Sequence, residues 1–259
     1  TPPQERLWER RVGDADFLQL RVGLGPVPFS TTIHVPQLRP DSPVDPRLYQ
    51  IEQQYRTLLD VPISIPLREI GALGVSGAPP QGRALLRWLV WQAAVFHAPA
   101  DLRIAVVYPP EMATEWSWLA WLPHTVPFSN DADYRARMHA SGDRAERLLS
   151  AVLDQLNHRR ELQTQQHNNN GGAPPQWMPM LLVVDGMEYA RSQPAIRELL
   201  RDGQRVNLFT LLLVDRWQDI PGECGAMLDL QTDAPRWARA GRQWSREPFA
   251  IEAELATVR

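Results

Sequence analysis

The sequence predicts an α/β domain with a mainly parallel sheet and helices on both faces, preceded by a small β-containing appendage. Three features carry this. From residue 61 onward, short continuous apolar runs alternate with longer amphipathic runs. Strands that are apolar on both faces belong to parallel sheets covered by helices. The stretch "LGVSGAPPQGRALLRWLV" at 73–90 has the spacing of a phosphate-binding loop between a strand and a helix, and "MLLVVDG" at 180–186 places Asp185 at the end of an apolar run.

Taken in chain order, "FLQLRVGLGPVPFSTTIHV" at 17–35 alternates and is rich in β-branched and aromatic residues, which reads as two short strands around a Gly-Pro turn. The segment 39–60 then reads as a helix, with Pro46 in its first turn and Leu48, Ile51, Tyr55, Leu58 and Leu59 on one stripe. Residues 1–60 form the appendage and residues 61–259 the main domain. Within the latter, strands are expected at 62–66, 71–76, 102–108, 179–185, 206–214 and 226–230, and helices at 81–97, 143–163 and 192–202. Helix 81–97 is apolar nearly all round, as a central helix should be, with Arg83 and Arg87 one turn apart. Helix 143–163 carries its apolar residues, Ala145, Leu148, Leu149, Val152, Leu153 and Leu156, on one stripe, which suits a surface helix. Asp143 and Glu146 stand where they can cap it. The polar, Gly/Pro-rich segment 164–177 reads as a loop.

Composition narrows the function. The chain of 259 residues is 44% hydrophobic, enough for a substantial core. Its 27 basic and 30 acidic residues are interspersed, without the basic block that a phosphate backbone attracts, so nucleic acid is not an expected partner. One cysteine, Cys224, rules out an intrachain disulfide, and no Cys/His spacing resembles a zinc site. No apolar run reaches the roughly 20 residues that span a bilayer, so the chain reads as soluble. The start "TPPQERLWERR" has neither an initiator Met nor a leader, as expected of a fragment.

A working phosphate loop needs inward-pointing backbone N–H groups, a lysine for the β and γ phosphates, and a hydroxyl for Mg²⁺. Gly77 and Gly82 fit the glycine spacing, but Arg83 and Ala84 stand at the lysine and hydroxyl positions, and the chain contains no lysine at all. Arginine keeps the charge in a longer, forked form, and alanine ligates no metal. Pro79 and Pro80 remove two N–H donors. After Asp185 comes Gly186 where many motors carry a catalytic glutamate, and Glu188 falls two residues too late. The set still resembles the P-loop NTPase plan, in a form expected to hydrolyse little or no nucleotide. A divergent but active site and an unrelated α/β fold are the alternatives.

Three stretches together resemble the EccC/EssC membrane ATPases of type VII secretion, within the FtsK/SpoIIIE group. They are "LWERRVGDADFLQLRVGLGPVPF" at 7–29, the segment 59–107 around the altered loop, and "WSWLAWLPHT" at 116–125. "LLVVDG" at 181–186 resembles the altered second motif of the same family. The resemblance implies a RecA/FtsK-like fold, with residues 1–60 leading from a membrane stalk into a membrane-proximal, degenerate ATPase-like domain at the cytoplasmic face of the membrane. It implies no cofactor in this domain, with ATP and Mg²⁺ held by other modules of the parent. The partners it implies are adjacent ATPase domains of the same chain, other type VII membrane components, a homo-hexamer, and WXG100-type export substrates. On this reading the domain is a pseudo-ATPase that couples the membrane complex to downstream motors. A divergent active motor is the alternative, and a DNA translocase is disfavoured by the balanced charge.

Candidate interface residues are Trp116, Trp118, Trp121 and His124, together with Trp8, Arg10 and Arg11 of the entry segment. The Trp cluster reads first as a packed core corner, with partner docking as the sharper alternative. His124 is expected to bond backbone, since no nucleophile accompanies it. Trp8, Glu9, Arg10 and Arg11 are read equally as a partner-binding junction or a solvated linker. Asp185 is expected to be a retained strand-end acid, paired with Arg83 across the empty loop. Arg159 and Arg160 are expected to complement a helix C-terminus and solvent, with an arginine finger as the alternative.

Overall fold

The computed structural model describes residues 7–28, 47, 50, 56–127, 137–168, 176–186, 194–231, 235–239 and 250–251. A small sheet comes first in the chain. Strand β1 (Gln19–Pro28) pairs antiparallel with β2 (Thr57–Pro66), and β10 (Ala250–Ile251) lies on its other side. Strand β1 runs straight through Gly25 and Pro26, where a turn was expected. A register shift between Gly25 and Val27 takes up the proline, since a bulge position has no ladder bond for the missing N–H to make. Residues 29–35 lie outside the described part. So does most of the expected helix at 39–60; Arg47 and Gln50 within it are helical, but its last residues, including Leu58 and Leu59, are strand. Cross-strand pairing of Val27 with Leu58 and Pro28 with Thr57 overrides the helical spacing. The strand expected at 62–66 likewise belongs to this small sheet, because β2 is continuous across residue 60.

The main sheet has seven strands: β3 (Ala72–Ser76), β4 (Arg103–Val107), β5 (His139–Ala140), β6 (Met180–Asp185), β7 (Leu208–Val214), β8 (Ala226–Asp229) and β9 (Arg236–Arg239). Their order is β5-β4-β6-β7-β3-β8-β9. Every pairing is parallel except that of β9, which runs antiparallel to β8. The sequence did not announce β5 or β9. Both are short edge strands, and their buried-to-exposed alternation is too brief to stand out.

Among the described residues from 56 onward, the α-helices are the single turn α1 (Leu67–Ile70), α2 (Pro79–Phe96), the single turn α3 (Ala113–Trp116), α4 (Asp143–Asn168) and α5 (Pro194–Asp202). Helix α4 runs five residues past its expected end at 163, so the anticipated loop begins later, and residues 169–175 of it lie outside the described part. The central strands alternate between two cores. Leu73, Val75, Ile104, Val106, Leu181, Val183, Phe209 and Leu211 face α2 and the small sheet. Ala105, Val107, Leu182, Val184, Leu208 and Leu212 face α4 and α5. Burial on both faces is why these strands read as unbroken apolar runs.

Candidate functional site

The site lies at the C-terminal ends of the parallel strands, where open α/β sheets bind ligands. Strand β7 separates β3, which leads into the glycine loop, from β6, which ends on Asp185. Two strand spacings set the loop and the acid about 10 Å apart, a gap that a long side chain from α2 can cross.

The loop between β3 and α2 is only Gly77 and Ala78, because Pro79 and Pro80 form the first turn of the helix. The helix was expected from residue 81, which left both prolines in the loop. They sit instead at N1 and N2, where fixed φ favours helix initiation and a missing N–H costs nothing. Gly82 N–H is already bonded to Ala78 O at 3.0 Å, as a helical amide. Both glycines have packing reasons to be there. A Cβ on Gly82 would lie 2.3 Å from Leu213 Cδ1, so glycine lets α2 press onto β7. A Cβ on Gly77 would lie 2.7 Å from Leu230 Cβ, and the Leu230 N–H donates to Ser76 O at 2.7 Å. Residues 229–231 therefore close over the loop from the β8 side. There Asp229 accepts from Ser76 Oγ at 3.0 Å, from Gln231 N at 3.1 Å and from Arg236 Nη2 at 3.1 Å.

Arg83 leans from α2 over β7, and its Nε lies 3.0 Å from both carboxylate oxygens of Asp185. Asp185 is fully buried, and its Oδ2 also receives the Trp116 indole N–H at 2.9 Å. Burial raises the Asp185 carboxyl above its ordinary range, while the Trp116 hydrogen bond and the Arg83 charge oppose the shift. One turn further along α2, Arg87 pairs with Glu115. The structure thus brings Gly77, Gly82, Arg83, Asp185 and Trp116 together. Ala84, which follows Arg83 on α2, contributes no hydrogen-bonding group. Gly186 takes a positive φ of 125° beside Pro109, a conformation that suits glycine. Glu188 lies outside the described residues.

The three tryptophans part company. Trp116 is buried, Trp118 packs against the core, and Trp121 is 87% exposed. His124 is buried and its Nε2 donates to His97 O at 2.8 Å, with burial lowering its pKa. The entry segment is docked rather than free. Trp8 N and Arg10 N donate to Val95 O and Phe96 O at 2.8 and 2.9 Å. Arg10 also lies over the Phe96 ring at 4.3 Å and pairs with Asp16 at 3.0 Å. Arg11 meets Asp101 at 3.1 Å.

Arg159 corrects the sequence expectation. Because α4 continues to Asn168, this arginine is mid-helix and only 4% exposed. It donates to Val206 O at 2.8 Å and Met178 O at 3.0 Å, which leaves it no reach into a neighbouring module. Burial lowers its pKa to about 10. Arg160 stays at the surface near Glu198 and Asp202. Among the described residues no group of three or more His, Cys, Asp or Glu side chains is placed to hold a metal ion, and no helix is long and apolar enough to cross a membrane. Roles that sequence alone did not supply are those of Trp116 as a donor to Asp185 and of Ser76, Asp229 and Arg236 beside the loop. Each depends on contacts between residues distant in the chain.

Fold and site together define a mainly parallel α/β domain with the strand–loop–helix and strand-end acid of the P-loop plan in altered form. No family model matches the chain. It is 43% identical over 123 residues to the ESX-4 secretion system protein EccC4 of Mycobacterium tuberculosis (strain ATCC 25618 / H37Rv), covering 46% of this chain and 10% of that protein. It is 36% identical over 138 residues to the ESX secretion system protein EccC of Thermomonospora curvata, covering 51% and 10%. Among solved structures, EssC (ATPases 2 and 3) from Geobacillus thermodenitrificans superposes with a TM-score of 0.59 at 13% identity, over 98% of this chain and 48% of that one. Thermomonospora curvata EccC (ATPases 2 and 3), in complex with a signal sequence peptide, gives 0.57 at 17% identity, over 96% and 46%. These two likenesses establish the fold. The homologues of this chain are EccC/EssC type VII secretion ATPases, and the chain spans about a tenth of the length of the curated relatives it matches.

Proposed function

We propose that this chain is a pseudo-ATPase module of a type VII secretion motor, a membrane-proximal one that links the membrane complex to catalytic modules elsewhere in the parent. The observation that carries this reading is the Arg83–Asp185 ion pair, closed by Trp116. The charges that would otherwise meet phosphate and metal are spent on each other. The donor set does not fit a Mg²⁺-nucleotide. Pro79 and Pro80 offer no N–H, Gly82 N–H is bonded within its helix, residues 229–231 cover Gly77, and Ala84 stands where a metal-binding hydroxyl belongs. Removing one partner of a buried pair strands the other charge at a cost of about 3–5 kcal/mol, so a nucleotide that claims Arg83 works against that penalty.

On this reading the domain's work is mechanical. Partners of the parent are other ATPase domains of the same polypeptide, membrane components of the secretion system and small helical export substrates, with assembly as a hexamer at the cytoplasmic face of the membrane. The test is isothermal titration calorimetry with ATP and Mg²⁺ on the unmodified chain, Arg83→Ala and Asp185→Ala. The expected result is no heat beyond dilution at about millimolar nucleotide, the upper end of ordinary substrate affinities. Binding by the unmodified chain at about micromolar nucleotide, lost in both variants, overturns the proposal in favour of a divergent active site.

A further inference from the structure

The segment 110–125 is a strap made of short turns: three 3-10 turns at Pro110–Met112, Ser117–Trp121 and Pro123–Thr125, and α3. None of these turns has a side-chain N-cap; the hydroxyls of Ser117 and Thr125 bond carbonyls within the strap, and its placement on the domain rests on contacts to the rest of the molecule. Its front is fastened near the start of α2, where Trp116 donates to Asp185 and Glu115 pairs with Arg87. Its rear is fastened near the end of α2, where His124 donates to His97 O at 2.8 Å, and beside β5, where the Met138 N–H donates to Thr125 O at 2.7 Å. The exposed Trp121 lies between the two fastenings.

Asp185 is the shared point. The Arg83 side chain, bonded to Asp185, bonds no residue of the strap, whereas Trp116 is part of it. Both donors converge on one fully buried carboxylate. Loss of either changes the charge and geometry that the other meets, and hydrogen bonds in a low-dielectric site strengthen or weaken together. Trp116 passes the effect outward by stacking on Trp118 at 6.3 Å, and it also stacks with Tyr108 at 6.2 Å.

We propose that Trp116 is a latch that couples the strap to the glycine loop. While Arg83 and Asp185 are paired, Trp116 is seated and the strap is closed. When the pair is disturbed, Trp116 releases and the surface around Trp121 rearranges. A load on the surface pair Arg87–Glu115 is felt at Asp185 in return, because coupling between two sites is reciprocal. The inference takes the Arg83–Asp185 pair as resident, as the proposed function does. It is read by hydrogen exchange instead of nucleotide titration, so either reading can fail alone.

The experiment is native-state hydrogen–deuterium exchange on the intact chain and on Arg83→Ala, Trp116→Phe and the double variant, with Arg87→Ala to read the coupling in the reverse direction. Arg83→Ala is expected to raise exchange in 113–121 by about tenfold or more, the scale of losing one buried hydrogen-bond partner. In the Trp116→Phe background the same change adds nothing there. Arg87→Ala is expected to raise exchange at 76–83 as well as in the strap. If Arg83→Ala leaves 113–121 unchanged, or if its effect persists in full without the indole N–H, the strap is held by its own packing and the latch is refuted.

Discussion

At the scale of single residues, the clearest consequence of the structure is electrostatic. His97 is fully buried; its Nε2 accepts the Leu18 N–H at 3.0 Å and its Nδ1 contacts Ala93 O at 2.8 Å. A backbone N–H only donates and a carbonyl only accepts, so these partners fix a neutral ring protonated on Nδ1. Burial, with smaller contributions from Arg10 and His124, lowers its pKa from 6.5 to about 4. The unfolded chain therefore takes up a proton between about pH 6.5 and 4 that the native state refuses. The stability this histidine contributes is intact above pH 6.5 and is lost as pH falls, by about 3 kcal/mol at the acid end. Urea unfolding at about pH 7 and about pH 4.5 should show this loss, and His97→Gln should shrink the difference between the two. Part of the slope remains in the variant, because burial also lowers His124 and His139. An unchanged difference would mean that His97 titrates as if exposed. Nothing in the sequence around His97 signals this role, since both its partners and its burial come from chain folding. Gly77, Gly82, Arg83 and Asp185 were legible because a strand-loop-helix spacing is local; that Trp116 completes the site was not, because it lies 69 residues from Asp185.

At the scale of elements, α2 organises the molecule. Its start carries Arg83 and Arg87, its flank packs on the main sheet through Gly82 and Leu85, and its end receives the entry segment. Between them, Gln92 is a buried polar residue on a helix read as apolar nearly all round. Its Oε1 accepts the Arg21 N–H at 2.9 Å and its Nε2 donates to Arg21 O at 2.8 Å, beside a register shift in β1. Trp88 Nε1 adds a bond to the same carbonyl at 3.2 Å. The side chain thus partners both backbone groups of Arg21 as a neighbouring strand would. With each such bond worth about 1 kcal/mol net, Gln92→Ala should cost about 2 kcal/mol, visible as a lower thermal midpoint; a shift equivalent to less than about 0.5 kcal/mol would show that water serves as well. The same physics separates what was readable from what was not. Central strands and α4 were placed to within a few residues because continuous burial or a 3.6-residue stripe leaves a long pattern. The helix expected over 39–60 gave way to strand at 57–60 because tertiary pairing outweighs local spacing. The edge strands β5 and β9 are too short for any pattern to register.

At the scale of the whole molecule, the question is whether the small sheet is an accessory or part of one cooperative body. Its inward residues Leu20, Val22 and Ile65, with Leu18 just before β1, belong to the same apolar cluster as α2 and the α2-facing side of the main sheet. They are joined to α2 by His97, Gln92 and Trp88 and by the backbone bonds of Trp8 and Arg10. A sheet of three strands with β10 only two residues long has little independent stability, so it stays folded by what it shares with α2. Under the proposed coupling role, force on the entry segment would enter the helix that holds Arg83 through the backbone bonds of Trp8 and Arg10. The expectation is that amides of 19–24 exchange with the same free energy as those of the α2-facing strands, and that urea transitions by circular dichroism and by exchange of 19–24 coincide. Leu20→Ala, at a site only 2% exposed, should lower both by about 2–5 kcal/mol. If the small sheet opens first and Leu20→Ala leaves the main transition in place, the entry segment is a tether hinged on the domain, and force at the N-terminus would dissipate before reaching Asp185.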